Sequence, residues 1–134
     1  MPGKVVIKKH EWVSGAPMEK KGVRDWKLIY PEQGFDNRTL CLGVVEVDPG
    51  HHTSLHRHNC EEVYFILEGK GILEIEGKKY EIEEGDAVFI KEGQAHRVFN
   101  TDPKRKLRYV AVGGIMLVPL LPKWPTESPY EILE

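Results

Sequence analysis

The sequence is short of cysteine, of long apolar runs and of excess charge of either sign, and each shortage removes a class of protein. Two cysteines among 134 residues, Cys41 and Cys60, without CxxC spacing, exclude a disulfide framework and a structural zinc ribbon. No apolar run approaches the roughly 20 residues that span a bilayer. The first residues also lack the apolar core and small-residue cleavage site of a secretory leader, so a cytoplasmic protein without a membrane partner is expected. A formal net charge of -2 leaves no basic footprint for nucleic acid, and Lys104-Arg105-Lys106 reads as a solvated loop. Amphipathic helical stretches of ten or more residues are missing as well, which leaves helix as a minor component.

What is present is a series of short apolar or β-branched runs separated by turn residues. Strands are expected at residues 4–8, 26–30, 40–47, 56–58, 62–67, 87–90 and 107–112 and, from His96, Val98 and Asn100 on one face, after Gly93. Residues 71–76 and 79–82 alternate around Gly77-Lys78 as a hairpin. In residues 62–67 both faces are apolar, Val63, Phe65 and Leu67 against Tyr64 and Ile66, so that strand is expected to be covered on both sides. Residues 14–22 and 31–37 read as loops. Eight or nine such strands predict an all-β sandwich or barrel. One domain over 1–134 is expected: an N-terminal strand and loop (1–38), a barrel (about 39–114) and a tail (115–134). Pro119, Pro122, Pro125 and Pro129 keep that tail out of an interior strand, so it should wrap the surface or end in one short turn.

Residues 50–100 concentrate the chemistry. His56 and His58 share a strand face, and with Glu62 and His96 they supply three imidazoles and one carboxylate, donors that suit a borderline divalent metal. With a divalent ion the net site charge is about plus one, and six-coordination leaves two positions open for water, dioxygen or a bidentate anionic substrate.

Gly50, His56, His58, Glu62 and Gly69 stand at every fixed position of the first cupin motif. Gly85, Gly93, His96 and Asn100 match the second, which departs only at Lys91, where the motif has proline. The sequence therefore resembles small single-domain cupins over 51 residues. The resemblance implies a double-stranded β-helix, the cupin jelly-roll barrel, in which His56, His58, Glu62 and His96 hold one divalent transition metal per chain, manganese or iron ahead of nickel, copper or zinc. It also implies a homodimer formed through the outer sheet and swapped N-terminal strands. Asn100 is expected to be structural, and Lys91 to relax the turn before Gly93.

Lesser candidates surround this set. His51 and His52 read as loop histidines, although His52 shares parity with His56 and so could reach the pocket mouth. Tyr64 shares parity with Glu62 and is a candidate for touching a ligand. Glu46 reads as solvent-facing or at a sheet edge, with general acid or base as the sharper reading. Arg57 and Arg97 are expected outside the pocket. Cys60 reads as a free thiol, with a soft contact behind a ligand as the alternative. The functional expectation is a metal-dependent enzyme on a small polar or anionic molecule, with oxalate-decarboxylase-like, dioxygenase-like and sugar-phosphate-isomerase-like chemistries all open. The alternative is a metal-containing binding or sensing protein without turnover.

Overall fold

The computed structural model describes residues 3–16, 18–114 and 130–134. Among these, eleven strands run as β1 (Met18–Lys20), β2 (Val23–Ile29), β3 (Cys41–Val47), β4 (His56–His58), β5 (Glu62–Glu68) and β6 (Lys70–Ile75), then β7 (Lys78–Glu83), β8 (Ala87–Ile90), β9 (His96–Asn100), β10 (Leu107–Gly113) and β11 (Tyr130–Ile132). They form a six-stranded sheet, β1-β2-β3-β10-β5-β8, and a five-stranded sheet, β11-β4-β9-β6-β7. The two sheets enclose a core of Val23, Val45, Val47, Tyr64, Ile66, Leu73, Ile82, Ile90, Val98, Leu107 and Tyr109. Strand alternation delivers these side chains: Val45 pairs with Tyr109 and Val47 with Leu107 across β3 and β10, while the intervening pair Glu46 and Arg108 lies on the other face of the sheet. The expected all-β barrel is the fold observed. No described helix is long and apolar enough to cross a membrane.

Turn chemistry sets the register. The β6–β7 hairpin closes through Glu76 and Gly77, both at positive φ (49° and 80°), one residue earlier than expected. Gly69 carries φ 86°, and a Cβ there would lie 2.4 Å from the Lys106 carbonyl oxygen, so the end of β5 admits no other residue without backbone movement.

Four expectations are corrected. Residues 4–8 form no strand: they lead into a single helical turn, α1 (Lys9–Trp12), with Val5 and Val6 exposed. β-branched residues favour a pleated surface, but without a neighbouring ladder that preference has nothing to act on. Residues 18–20, expected as loop, instead pair with β2 as β1. The tail, expected to wrap the surface or end in a short turn, ends as β11, an edge strand on β4 with Tyr130 opposite His58 and Ile132 opposite His56, so it stays out of the sheet interior but closes in a strand. Its four prolines, Pro119, Pro122, Pro125 and Pro129, fall outside the described residues.

The fourth correction concerns β5. Tyr64 and Ile66 are buried, but Val63, Phe65 and Leu67 are 43%, 49% and 40% exposed, and their cross-strand neighbour Phe89 is 57% exposed. Among the described residues, the N-terminal segment packs on β2 rather than on β5. There Trp12 meets Trp26 edge-on at 6.0 Å, and the Trp26 indole N–H donates to the Val13 carbonyl at 2.9 Å.

Candidate metal centre

β4 and β9 are antiparallel neighbours with His56 directly opposite His96, and His58 follows on the same face of β4. After the bend at residues 59–61 the chain crosses to the other sheet, where Glu62 opens β5 and faces back towards the imidazoles. One ligand atom from each of His56, His58, Glu62 and His96 lies within 4.8 Å of all the others. The imidazole centroids are 4.2 Å (His56–His96), 5.2 Å (His58–His96) and 5.7 Å (His56–His58) apart.

Each imidazole is oriented through its outer nitrogen. His56 Nδ1 lies 2.7 Å from the Ser54 carbonyl oxygen and His96 Nδ1 2.8 Å from that of Gln94. A carbonyl only accepts, so both rings carry the proton on Nδ1 and turn a bare Nε2 inward, the form that binds metal. His58 Nδ1 lies 3.5 Å from Cys60 Sγ, whose thiol in turn donates to the Gly114 carbonyl at 3.6 Å. Cys41 donates to the same oxygen at 3.5 Å. With its own proton engaged, the Cys60 sulfur is left to accept from His58 Nδ1–H, which leaves Nε2 as the nitrogen directed at Glu62 and the other imidazoles. Cys60 is therefore a free thiol buried behind His58, and only its position two residues after the His-x-His pair hinted at this.

The electrostatics invite a cation. Burial, and then the neighbouring His96, push His56 down to about 4, which keeps it neutral. Burial opposes charge on His58 too, but the Cys60 and Glu62 contacts outweigh it and raise it to about 10. Burial likewise opposes ionisation of Glu62, yet the His58 contact and the nearby His96 ring hold its carboxyl well below the usual range. His58 Nε2 is 3.1 Å from Glu62 Oε1, whereas the buried His96 Nε2 makes no hydrogen bond and stands 3.3 Å from that oxygen. A buried imidazole nitrogen without a partner, among two more imidazoles and an ionised carboxylate, is the donor set a divalent ion requires. The residues present fit such an ion.

The other sequence candidates separate. Tyr64 is buried with its ring 6.3 Å from His96, inside the barrel beside the cluster. His52 is not at the pocket: its ring packs 5.0 Å from Phe99 on the outer side of β9, and its Nδ1 lies 2.8 Å from the Thr53 carbonyl. Residues 53–55 are not a strand, so parity with His56 does not carry across them. Glu46 also faces away from the cluster, alternating with core residues Val45 and Val47. It is 2% exposed and takes Arg24 Nε at 2.9 Å, Lys106 Nζ at 3.2 Å and Arg108 Nε at 3.2 Å. These ion pairs, not solvent or a substrate, are its partners. Arg97 lies outside, bonded to Glu74 at 2.9 Å. Asn100 bridges Val47, Arg105 and Asp102 through three hydrogen bonds of 3.0, 2.8 and 2.9 Å. Lys91 does not loosen its turn: its N–H, which proline would lack, donates to Gln94 Oε1 at 2.8 Å.

Comparison with known proteins gives the same picture. The chain is 34% identical over 84 residues to dimethylsulfoniopropionate lyase DddW of Ruegeria pomeroyi, covering 63% of this chain and 55% of the lyase. It is 30% identical over 93 residues to an oxalate-binding protein of Thermotoga maritima, covering 69% of this chain and 76% of that one. The polyketide cyclase RemF of Streptomyces resistomycificus superposes with a TM-score of 0.72 at 23% identity, covering 94% of this chain and 89% of the cyclase, a likeness of fold. The cupin domain model matches residues 43–113, just over half of the sequence, and the chain belongs to the cupin family.

Proposed function

We propose that this cupin is a metal-dependent enzyme acting on a small polar or anionic molecule, with His56, His58, Glu62 and His96 as the ligands of one divalent transition metal, manganese or iron first. The observation that carries the proposal is the unpartnered, buried His96 Nε2 facing the other three donors. Bound there, the ion would supply Lewis-acid polarisation of a carbonyl or carboxylate oxygen. The chain's own residues do the rest. Ser54, Gln94 and Cys60 hold the imidazoles in one tautomer, and Glu62 keeps the site's charge near plus one. Tyr64 lines the interior beside His96, where a phenol can donate a hydrogen bond or a proton to a bound anion.

Of the two relatives described above, one is named a lyase and one a binding protein, so lyase, dioxygenase, isomerase and non-catalytic binding chemistries are separated by assay. Purified protein of measured metal content is offered oxalate, diketones, flavonols and phosphosugars with oxygen uptake monitored. Turnover that disappears with His96→Ala supports an enzyme; tight binding of one of these compounds without turnover supports the binding role.

A second copy is proposed to cover Val63, Phe65, Leu67 and Phe89. Four large apolar side chains clustered on the outer face form the kind of patch that marks an interface. Light scattering of wild type and Phe65→Glu tests this: a dimer that the substitution converts to monomer is expected, and a monomeric wild type overturns it.

A further inference from the structure

The two sheets are not stitched together along one side. β8 ends one sheet and β7 the other, and no described strand joins them. Between their edges lies a cleft of about 570 Å³ lined by Leu73, Ile75, Tyr80, Ile82, Val88 and Gln94. Its apolar lining belongs to the barrel interior. Tyr80 pairs with the core residue Leu73 and Val88 with the core residue Tyr64, so both share the inward face, whereas Phe89 of the outer patch points the other way. Tyr80 is nevertheless 48% exposed, and Ile75 and Val88 are only partly buried against the core. Inward-facing apolar side chains left open to a cleft are what an apolar ligand group can cover, because doing so removes their surface from water.

The inner end of the cleft adjoins the metal centre. Ile75 stands directly opposite His96 in the β6–β9 ladder, and Val88 directly opposite Tyr64 in the β5–β8 ladder. Directly opposed side chains on one face of a sheet start about 5 Å apart. One wall therefore runs to a proposed metal ligand and the other to the phenol ring 6.3 Å from it. Gln94, whose carbonyl oxygen orients the His96 ring, lines the cleft as well.

We propose that this cleft holds the apolar tail of the substrate while its anionic head sits at the metal, so that the ligand class is a monocarboxylate with an alkyl chain of several carbons. The inference rests on the metal-site reading above and names its ligand class. A centre of net charge about plus one is neutralised by one carboxylate. A second carboxylate at the far end of the chain is disfavoured, because the charged groups of the cleft are Glu81 and Asp86 against the single Lys91.

The test titrates acetate, butanoate, hexanoate and adipate by calorimetry into metal-loaded protein of measured metal content. Adipate has the length of hexanoate and a second carboxylate. Wild type is expected to gain about threefold to fourfold in affinity per added methylene, the effect of burying one such group, so hexanoate binds on the order of 100-fold tighter than acetate and adipate binds more weakly than hexanoate. Val88→Phe, which fills the cleft, should leave hexanoate within about threefold of acetate while the metal content stays that of wild type. Tyr80→Ala, at an exposed position where folding is not at stake, should weaken hexanoate several-fold more than acetate. A chain-length gain that persists in both variants places the tail elsewhere on the protein, the outer patch included, and overturns the proposal. So does equal binding of acetate and hexanoate by loaded wild type, adipate binding as tightly as hexanoate, or hexanoate binding equally well to metal-free protein. A wild type that loads no metal overturns the metal-site reading, and this inference with it.

Discussion

Replacing Cys60 with alanine removes the acceptor of His58 Nδ1 and touches none of the four donors. The buried imidazole N–H loses the acceptor 3.5 Å away, at a cost of about 1–3 kcal/mol. His58 can escape the cost by moving its proton to Nε2, but that nitrogen is the one turned towards Glu62, and protonating it removes a ligand. Either way the penalty falls on metal binding. At about 1.4 kcal/mol per factor of ten it amounts to roughly 10–100-fold in affinity, the range found when outer partners of metal-bound histidines are removed. Serine restores a polar acceptor, but its shorter bond to Cβ widens a gap that already measures 3.5 Å, so only part of the loss returns. Competition titration against a chelator, with cobalt as a visible probe, gives the affinities of wild type, Cys60→Ala and Cys60→Ser in that decreasing order of wild type, serine, alanine. An alanine variant within twofold of wild type refutes the argument that the thiol orients His58.

Other outcomes follow from the same geometry. Glu46→Gln, which leaves Arg24 and Arg108 beside a neutral amide, should destabilise the fold by about 2 kcal/mol, below the roughly 3–5 kcal/mol of a wholly buried pair because both arginines reach solvent. Burial opposes the charge on Glu46, but Arg108, Arg24 and Lys106 hold its carboxyl below the ordinary value. Its contribution is therefore complete above the unfolded-state value near 4.5 and is lost as pH falls through the lower folded value, so denaturant melts of the variant should show less acid sensitivity than wild type. Asn100→Ala should cost about 2–3 kcal/mol in the same melts, from one buried carbonyl, one part-buried carbonyl and one part-buried N–H that lose their partner, while metal content stays unchanged.

How much of this was legible in the sequence depends on how local each cause is. His56, His58, Glu62 and His96 were legible because strand parity and short spacing decide where they point, and Glu62 needs only the bend at residues 59–61 to face them. Parity failed for His52, since residues 53–55 interrupt the strand, and for the N-terminal valines, since a strand needs a neighbour that sequence does not identify. Glu46 was misread as solvent-facing because its partners, Arg24 and Arg108, stand 22 and 62 residues away. The exposed side of β5 looked like a second buried face because apolar content shows what favours burial, not which segment is long enough to provide it. Cys60 and Asn59 lie in a bend, where no periodicity announces which way a side chain turns.

In the proposed centre, four side chains from two facing sheets hold one divalent ion. That claim is tested most directly by the metal content of protein purified without added metal, for wild type and for His96→Ala, with circular dichroism confirming that both are folded. The account predicts about one transition-metal ion per wild-type chain and almost none in the folded variant, since His96 contributes the one donor nitrogen that has no other partner. A folded variant that keeps its metal, or a wild type that neither contains nor takes up any, contradicts it.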